Sequence, residues 1–215
     1  MLLERAEEYL AGIYRLRTDT ETPLPLAQLT EYFNFSPVSV HEMVVKLSNQ
    51  GWTIYHPYQG VTLTANGEAI AVALVRRHRL WERFLTDKLE IPWEEAHEIA
   101  ERLEHAASEQ VTERLASFLG EPERCPHGEP IPPQPKAAMD QAIAEFPAGA
   151  QGEVTRISPE STELLQQVQQ WGLRPGASFQ ITEQTPTTTT LIVDDRVIQA
   201  SHQDTRAIWA KTTEG

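Results

Sequence analysis

The chain is poor in cysteine, with one, Cys125, among 215 residues. A lone thiol excludes an internal disulfide framework and makes a reducing compartment, the cytoplasm, the natural expectation. Long apolar runs are missing too. No stretch reaches the roughly 18 residues that a transmembrane helix needs, so no membrane association is expected. The opening MLLERAEEYL carries acids in its first turns and lacks the basic end and apolar core of a secretory signal. Positive charge is scarce: 18 Lys and Arg stand against 31 Asp and Glu, a formal net charge of −13. That deficit excludes nucleic-acid binding by bulk charge, but not a specific DNA reader whose basic surface is local. No nucleophile or oxyanion motif, internal repeat or low-complexity tract is present, and no small-molecule substrate is implied.

What is present is ordinary globular composition, 40% hydrophobic and 23% charged, in a chain long enough for one large or two small domains. The stretch from Trp93 to Ser108, WEEAHEIAERLEHAAS, organises the reading. Its His97, Glu101, Glu104 and His105 fall at i, i+4, i+7 and i+8, one face of an α-helix. Upstream, His78 and Glu82 are one turn apart in RRHRLWERFL. Imidazoles and carboxylates converging from two packed helices suit a divalent metal; a solvated acidic helix shows similar spacing for no such reason. Two protease motifs are near-misses. In both HEIAE (97–101) and ERLEH (101–105), Glu101 stands where the zinc motif needs a His.

Taken in order, Leu2 to Arg17 reads as a helix with an apolar stripe of Leu3, Ala6, Leu10, Ile13 and Tyr14. A polar break with two prolines precedes a short helix at Leu26–Phe33. Ser36 is a good N-cap and Pro37 a good first residue for a third helix, which Gly51 stops. Trp52–His56 and Val61–Thr64 then form a hairpin around Pro57–Gly60. Helix, turn, helix and hairpin make a winged helix over residues 1–70. Such a domain shows Ser36, Pro37, Ser39, His41, Glu42 and Lys46 to a major groove, with Tyr58 and Gln59 at the wing tip. Against that, residues 1–70 carry four basic side chains, Arg5, Arg15, Arg17 and Lys46, and eight acids.

A long helix from Asn66 to about Leu89, a helix at Trp93–Ala107 and one capped by Ser108 form a helical middle, 71–136. Its wide apolar face points to a homodimer contact. Glu121–Pro135, EPERCPHGEPIPPQP, reads as a proline-rich connector holding Cys125 and His127 two apart. From about Ala148 the pattern turns to short strands at Gly152–Ile157, Ser178–Glu183, Thr188–Val193, Arg196–Ala200 and Ala207–Lys211. One helix at Pro159–Trp171 interrupts them, and a small barrel over 148–215 is expected. The fold class is mainly α with a small β part.

Together, EEYLAGIY at 7–14, SPVSVHEMVVKL at 36–47, YQGVTLTANGEAIA at 58–71, RRHRLWERFL at 76–85, AHEIAERLEHAAS at 96–108, CPHGEPIP at 125–132 and LRPG at 173–176 resemble the diphtheria-toxin-repressor family of metal-dependent regulators. The likeness covers nearly the whole chain, and most closely its manganese-type subgroup with a C-terminal SH3-like domain. It implies a winged helix-turn-helix, a helical metal-binding and dimerisation domain, a linker and an SH3-like (FeoA-like) barrel. It implies a primary regulatory site of Glu8, Glu101, Glu104 and His105, and an ancillary site of His78, Glu82 and His97. Cys125 and His127 match a second site of certain manganese-responsive relatives, which an acid of the barrel, here Glu160 or Glu163, sometimes completes.

The pattern is mixed. Ala11 stands where barrel-less manganese-type members have Glu, and His97 is a feature of iron-type members. Glu42 replaces the Gln that iron-type members carry on the recognition helix, so no operator sequence transfers. An all-oxygen and nitrogen primary site suits Mn(II) best, with Fe(II) the close competitor and Zn(II) able to bind in vitro. The expected partners are double-stranded operator DNA and a second copy of the chain. The rival readings are a metal hydrolase using Glu98 or Glu104 as base, and a metal-storing or protein-binding module whose winged helix does not touch DNA.

Overall fold

Helix α1, Leu2–Leu16, forms because Ala6, Tyr9, Leu10 and Ile13 recur at helical spacing; all four are buried. The structure, a computed structural model, describes residues 2–134 and 140–213; the end of the expected connector, from Pro135, lies outside the described residues. Packing divides the chain into Met1–Arg77 and His78–Gly215.

In the first unit α1 is followed by α2, Leu26–Phe33, which ends on Asn34 in the left-handed region (φ 50°). The chain then turns directly into α3, Pro37–Asn49. Ser36 caps α3 by accepting the Ser39 N–H at 3.1 Å, and Pro37 opens its first turn, where a missing N–H costs nothing. Leu29, Val40, Val44 and Leu47 meet Tyr9, Leu10 and Ile13 in one core. Strands β1, Thr53–His56, and β2, Gly60–Leu63, pair antiparallel with His56 opposite Gly60. Val61 also bridges to Leu24. A Cβ on Gly60 would fall 2.1 Å from the Leu24 carbonyl, so only glycine lets the wing close there. Tyr58 projects fully exposed from its tip. This is the winged helix-turn-helix.

The long helix α4, Ala65–Leu89, supplies His78 onward to the second unit, where α5, Trp93–Glu104, and α6, Glu109–Phe118, complete the helical part. Leu85, Ala96 and Ala100 pack together, as do Leu80, Leu115, Ala116 and Ile131. Helix α5 stops at Glu104, short of the expected Ala107, with His105 as its C-cap. The reason is local. Ser108 must adopt extended backbone (φ −73°, ψ 160°) to cap α6, so the intervening residues form the turn.

Residues 121–134 form an ordered connector, as their prolines suggest. Ile131 N–H donates to the Glu123 carbonyl at 2.7 Å, Cys125 N–H to that of Glu129 at 2.9 Å, and Arg124 bridges Pro130. The loop is clamped on both sides. From α4, Arg79 donates to Glu129 Oε2 at 2.9 Å and to the Pro130 carbonyl. From the β domain, Arg156 donates to Glu129 Oε1 at 3.0 Å and to Asp140 at 2.9 Å, with its guanidinium 3.9 Å from the Trp209 ring centroid. Gly128 lies where a Cβ would sit 2.1 Å from the Thr155 carbonyl. The loop therefore presses directly onto the next strand, and Ile157 N–H donates to the His127 carbonyl at 2.9 Å.

The β domain is a six-stranded antiparallel sheet in the order β3 (Gln141–Ala142), β8 (Ile208–Thr212), β4 (Gln151–Ile157), β5 (Ser178–Gln184), β6 (Thr188–Val193) and β7 (Arg196–Ser201). Register shifts in β4 and β5 bend it around a core of Ile143, Phe146, Val154, Ile157, Leu191 and Ile208. Helix α7, Thr162–Trp171, capped by Ser161, adds Leu165 and Val168 to that core. Helix α8, His202–Arg206, lies between β7 and β8. This is the expected SH3-like architecture. Among the described residues no helix is long and apolar enough to cross a membrane.

Glu129 neutralises two arginines while nearly buried, its side chain 8% exposed. Glu129→Ala is expected to destabilise the protein by about 3 kcal/mol, because it removes the carboxylate that two largely buried guanidinium groups share. Urea denaturation in the presence of chelator measures it; a loss under about 0.5 kcal/mol, the range of an ordinary surface change, would remove the clamp from the argument.

Candidate metal centre

Three segments of the second unit converge on one carboxylate. Helix α4 carries His78 and Glu82 one turn apart; both are essentially inaccessible, at 1% and 0% exposure. Helix α5 brings His97, and the clamped loop brings Cys125 and His127. Glu160 comes from the stretch between β4 and α7. Glu82 Oε1 lies 3.0 Å from His78 Nε2, 3.1 Å from His97 Nδ1 and 3.2 Å from His127 Nδ1. Glu160 places Oε2 3.0 Å from His97 Nδ1 and Oε1 3.6 Å from His127 Nδ1. Cys125 Sγ is 3.9 Å from Glu160 Oε1. Two sets of donors result, each with its ligand atoms within 4.8 Å of one another: His78, Glu82, His97 and Glu160; and Glu82, Cys125, His127 and Glu160.

Each imidazole is oriented by a second bond. His127 Nε2–H donates to the Trp93 carbonyl at 2.8 Å, which aims Nδ1 at the carboxylates. His78 Nδ1 lies 2.6 Å from Glu104 Oε2, which turns its Nε2 inward. His97 Nε2 lies 3.5 Å from Glu101 Oε1. A metal-ligating histidine is typically held this way, with its other nitrogen bonded to a carboxylate or carbonyl. Helices α5 and α7 are pinned by Trp93 Nε1 donating to Gln169 at 2.8 Å and Thr162 donating to Glu98 at 2.8 Å. That contact holds Glu160 beside His97.

Electrostatics in the absence of an ion show what the pocket demands. Burial pushes the Glu82 carboxyl up, yet the charges of His78 and His127 hold it well below its ordinary range. Burial works against a charge on His127, but the Glu82 and Glu160 carboxylates override it and raise its pKa to about 9. His97 is raised in the same way by bonds to Glu101, Glu160 and Glu82. Burial, then the same two carboxylates, push the Cys125 thiol well up. Protons on the imidazoles thus supply cationic charge, which a divalent ion held by these residues would supply in their place. The residues fit a metal on a further count: Glu82 Oε2 is fully buried and has no hydrogen-bond partner among the described residues.

The remaining expected residues are spread over both units. Glu8 is half-buried on α1 of the first unit. In the second unit Glu104 is buried at the end of α5, and His105 Nε2 lies 3.6 Å from Glu104 Oε1. The Glu101 side chain is half-exposed, at 49%. Of the two candidate acids of the β domain, Glu160 reaches the cluster, whereas Glu163 is exposed in the first turn of α7. On α3, Ser36, Pro37, Ser39, His41, Glu42 and Lys46 are all exposed, as are Tyr58 and Gln59 on the wing. The His41 ring packs edge-on to Tyr55 at 5.3 Å. Val38, on the first turn of α3, is also exposed, at 66%.

A solvent-facing recognition helix and wing, in one chain with a buried histidine, cysteine and carboxylate pocket, define a metal-responsive DNA-binding regulator. The chain belongs to the iron-dependent repressor family, the diphtheria-toxin-repressor type. Residues 1–61 match the iron dependent repressor N-terminal DNA binding domain, 64–133 its metal binding and dimerisation domain, and 142–211 the FeoA domain. Members of this family are transcriptional repressors. The chain is 34% identical over 200 residues to the iron-dependent repressor IdeR of Mycobacterium tuberculosis, covering 86% of each. It is similar to a solved manganese-dependent transcriptional repressor in complex with manganese (TM-score 0.86, 29% identity, 97% of this chain and 100% of that one). It also resembles ScaR with bound zinc (TM-score 0.83, 29% identity, 97% and 99%).

Two outcomes are expected. The folded metal-free protein keeps the His127 proton up to about pH 9, while an unfolded histidine loses it near 6.5. Stability from this group is therefore complete below pH 6.5 and is lost as pH rises through 9, because the native state binds the extra proton. Thermal melts in chelator across that window check the sign. Glu104→Gln, which weakens the hold on His78, should lower the pocket's Mn(II) affinity by about 10–100-fold, as read by calorimetric titration.

Proposed function

We propose that the chain is a metal-dependent transcriptional repressor that senses Mn(II) and binds palindromic operator DNA as a metal-loaded homodimer, in the cytoplasm, to control metal uptake. One observation carries the reading: a winged helix with its recognition helix exposed stands in the same chain as a preformed pocket of metal donors. On this reading the regulatory ion would be held by the set that the family resemblance implies, Glu8, Glu101, Glu104 and His105, and would remove repulsion among its three carboxylates. Metal binds the DNA-competent arrangement better and shifts the population toward it. Two recognition helices then meet successive major grooves, about 34 Å apart or a multiple of it. The pocket of His78, Glu82, His97, Cys125, His127 and Glu160 holds metal as a supporting centre.

On the DNA, Ser36, Ser39, His41 and Lys46 face base edges or phosphates, and Pro37 and Val38 offer apolar contact to a thymine methyl. Tyr58 and Gln59 reach the backbone or minor groove. Glu42 accepts from a cytosine amino group rather than repelling the duplex at random. The first unit's acidic balance keeps non-specific affinity low, so recognition depends on these few contacts and on metal.

Mn(II) is favoured because the regulatory donors are carboxylate oxygens and one imidazole nitrogen, without the thiolate or thioether that soft ions prefer. Fe(II) is the second reading, favoured by His97 in the supporting pocket and by the name of the IdeR relative. Zn(II) binds in vitro, as ScaR does in its zinc structure.

Glu8→Ala and Glu101→Ala should each keep the fold yet lose metal-stimulated binding to the chain's own upstream DNA in gel shifts with Mn(II), at least tenfold in affinity. Equal operator affinity with Mn(II) and with chelator in the unaltered protein would overturn the reading. Anaerobic titration with Mn(II) and Fe(II), read by DNA binding, separates the two metals.

A further inference from the structure

Six side chains line the supporting pocket, and with both oxygens of its two carboxylates they offer eight donor atoms, more than the six of an octahedral ion. They fall into two sets of four side chains that share those two carboxylates. At ordinary metal–ligand lengths of about 2.0–2.3 Å, two donors of one ion lie no more than about 4.6 Å apart. Each set, with its donor atoms within 4.8 Å of one another, comes within a few tenths of an ångström of that span.

The shared carboxylates divide their oxygens between the sets. Glu160 directs Oε2 to His97, in the first set, and Oε1 to His127 and Cys125, in the second. Glu82 Oε1 sits nearly equidistant from His78 and His97 on one side and His127 on the other, at 3.0, 3.1 and 3.2 Å. Its second oxygen, Oε2, is buried with no hydrogen-bond partner among the described residues. A fully buried carboxylate oxygen without a donor is costly unless a cation faces it. One ion bound by either set alone would leave two imidazoles, or an imidazole and a thiol, buried against an already satisfied carboxylate pair.

We infer that this pocket is a two-ion centre: His78 and His97 hold one divalent cation, Cys125 and His127 hold a second, and Glu82 and Glu160 bridge them. The inference rests on reading the pocket as metal-binding and extends it. The two positions differ in chemistry. The first has two nitrogens and two carboxylates, a borderline-hard set suited to Mn(II) or Fe(II). The second adds a thiolate, and takes a softer ion such as Zn(II) or Co(II) more readily. Each ion replaces protons: the second enters as the Cys125 thiol and His127 imidazolium lose theirs to solvent, with no change of oxidation state.

The full-length chain, freed of metal, is titrated with Co(II) and, separately, with Mn(II). Bound Co(II) is counted by equilibrium dialysis, its thiolate ligation read from ultraviolet charge-transfer absorption, and Mn(II) is followed by electron paramagnetic resonance. The unaltered protein saturated with Mn(II) should show an exchange-coupled signal in addition to that of isolated Mn(II). Cys125→Ser/His127→Ala should bind one Co(II) fewer, lose the thiolate absorption and lose the Mn(II) coupling. His78→Ala/His97→Ala should also bind one fewer and lose the coupling, but keep the thiolate absorption. An unaltered protein that shows only uncoupled Mn(II) and binds no more Co(II) than Cys125→Ser/His127→Ala has a single-ion pocket, and the inference falls while the metal-centre reading stands. If the variant lacking all four residues, His78, His97, Cys125 and His127, binds as many ions as the unaltered chain, the metal-centre reading itself falls. The coupling measurement needs no variant, so a substitution that fails to fold leaves the test intact.

Discussion

A carboxylate with no exposure, ringed by three imidazoles, is the constraint on which the second unit is built. Taking Glu82 out of water costs several kcal/mol unless positive charge comes with it. The chain answers from three places: His78 one turn back on α4, His97 on α5 and His127 on the loop. Each must be held against its own tendency to be solvated, and the surrounding packing does this. Trp93 accepts from His127 through its backbone and anchors α7 through its indole, so one residue positions both the loop and the segment bearing Glu160. The Arg79–Glu129–Arg156–Asp140 chain of ion pairs fixes the same loop from the outside. The donors are gathered with no ion present, so on the proposed reading metal loading would exchange protons for a cation instead of assembling a site from disorder.

Much of this was legible in the sequence, because local rules and tertiary packing agree over most of the chain. Ser36–Pro37 and Ser108 mark helix starts with the capping chemistry that the structure uses. The alternation in TTTLIV gives strand β6 at its observed bounds. The spacing of His78 and Glu82 alone puts both on one helix face. The failures have physical reasons as well. Strand β3 has two residues and α8 five, too short for a periodic signal. The proline-rich loop reads as an ordered or semi-rigid connector, but its sequence does not show what orders it. Its order comes from side chains far away in sequence, Arg79 and Arg156, and from Gly128 lying flush on Thr155, which no local pattern announces. Glu160 and Glu163 are equivalent by sequence. What separates them is that α7 begins after the Ser161 cap, leaving Glu160 on the incoming stretch and turning Glu163 to solvent.

The donor types also explain why a single chain combines marks of differently named relatives. His97 and the Cys125–His127 pair are directed at the same two carboxylates from opposite sides, so neither makes the other redundant. A pocket with imidazole, carboxylate and thiolate does not discriminate strongly among first-row ions by affinity, since all of them follow one order. Discrimination on the proposed reading falls to the oxygen-rich regulatory set. Supporting and regulatory sites then divide the work: one is buried and permissive, the other selective and coupled to the reading head.

Glu104 is where those two tasks meet. Its Oε2 is committed to His78 Nδ1 at 2.6 Å, while its Oε1 faces His105 Nε2 at 3.6 Å. One oxygen therefore serves the supporting pocket and the other lies beside a proposed regulatory ligand. A cation on His78 Nε2 would make the Nδ1 proton more acidic and tighten its hold on Glu104, which would fix the carboxylate plane and so the direction of Oε1. An ion drawn to Oε1 would in turn hold the plane from the other side and steady His78. Coupling of this kind is reciprocal by thermodynamic necessity: whatever factor the supporting ion adds to affinity at the regulatory set, the regulatory ion returns to the pocket. The acidic helix that first stood out in the sequence thus bears on both centres through one side chain, with a different oxygen turned to each.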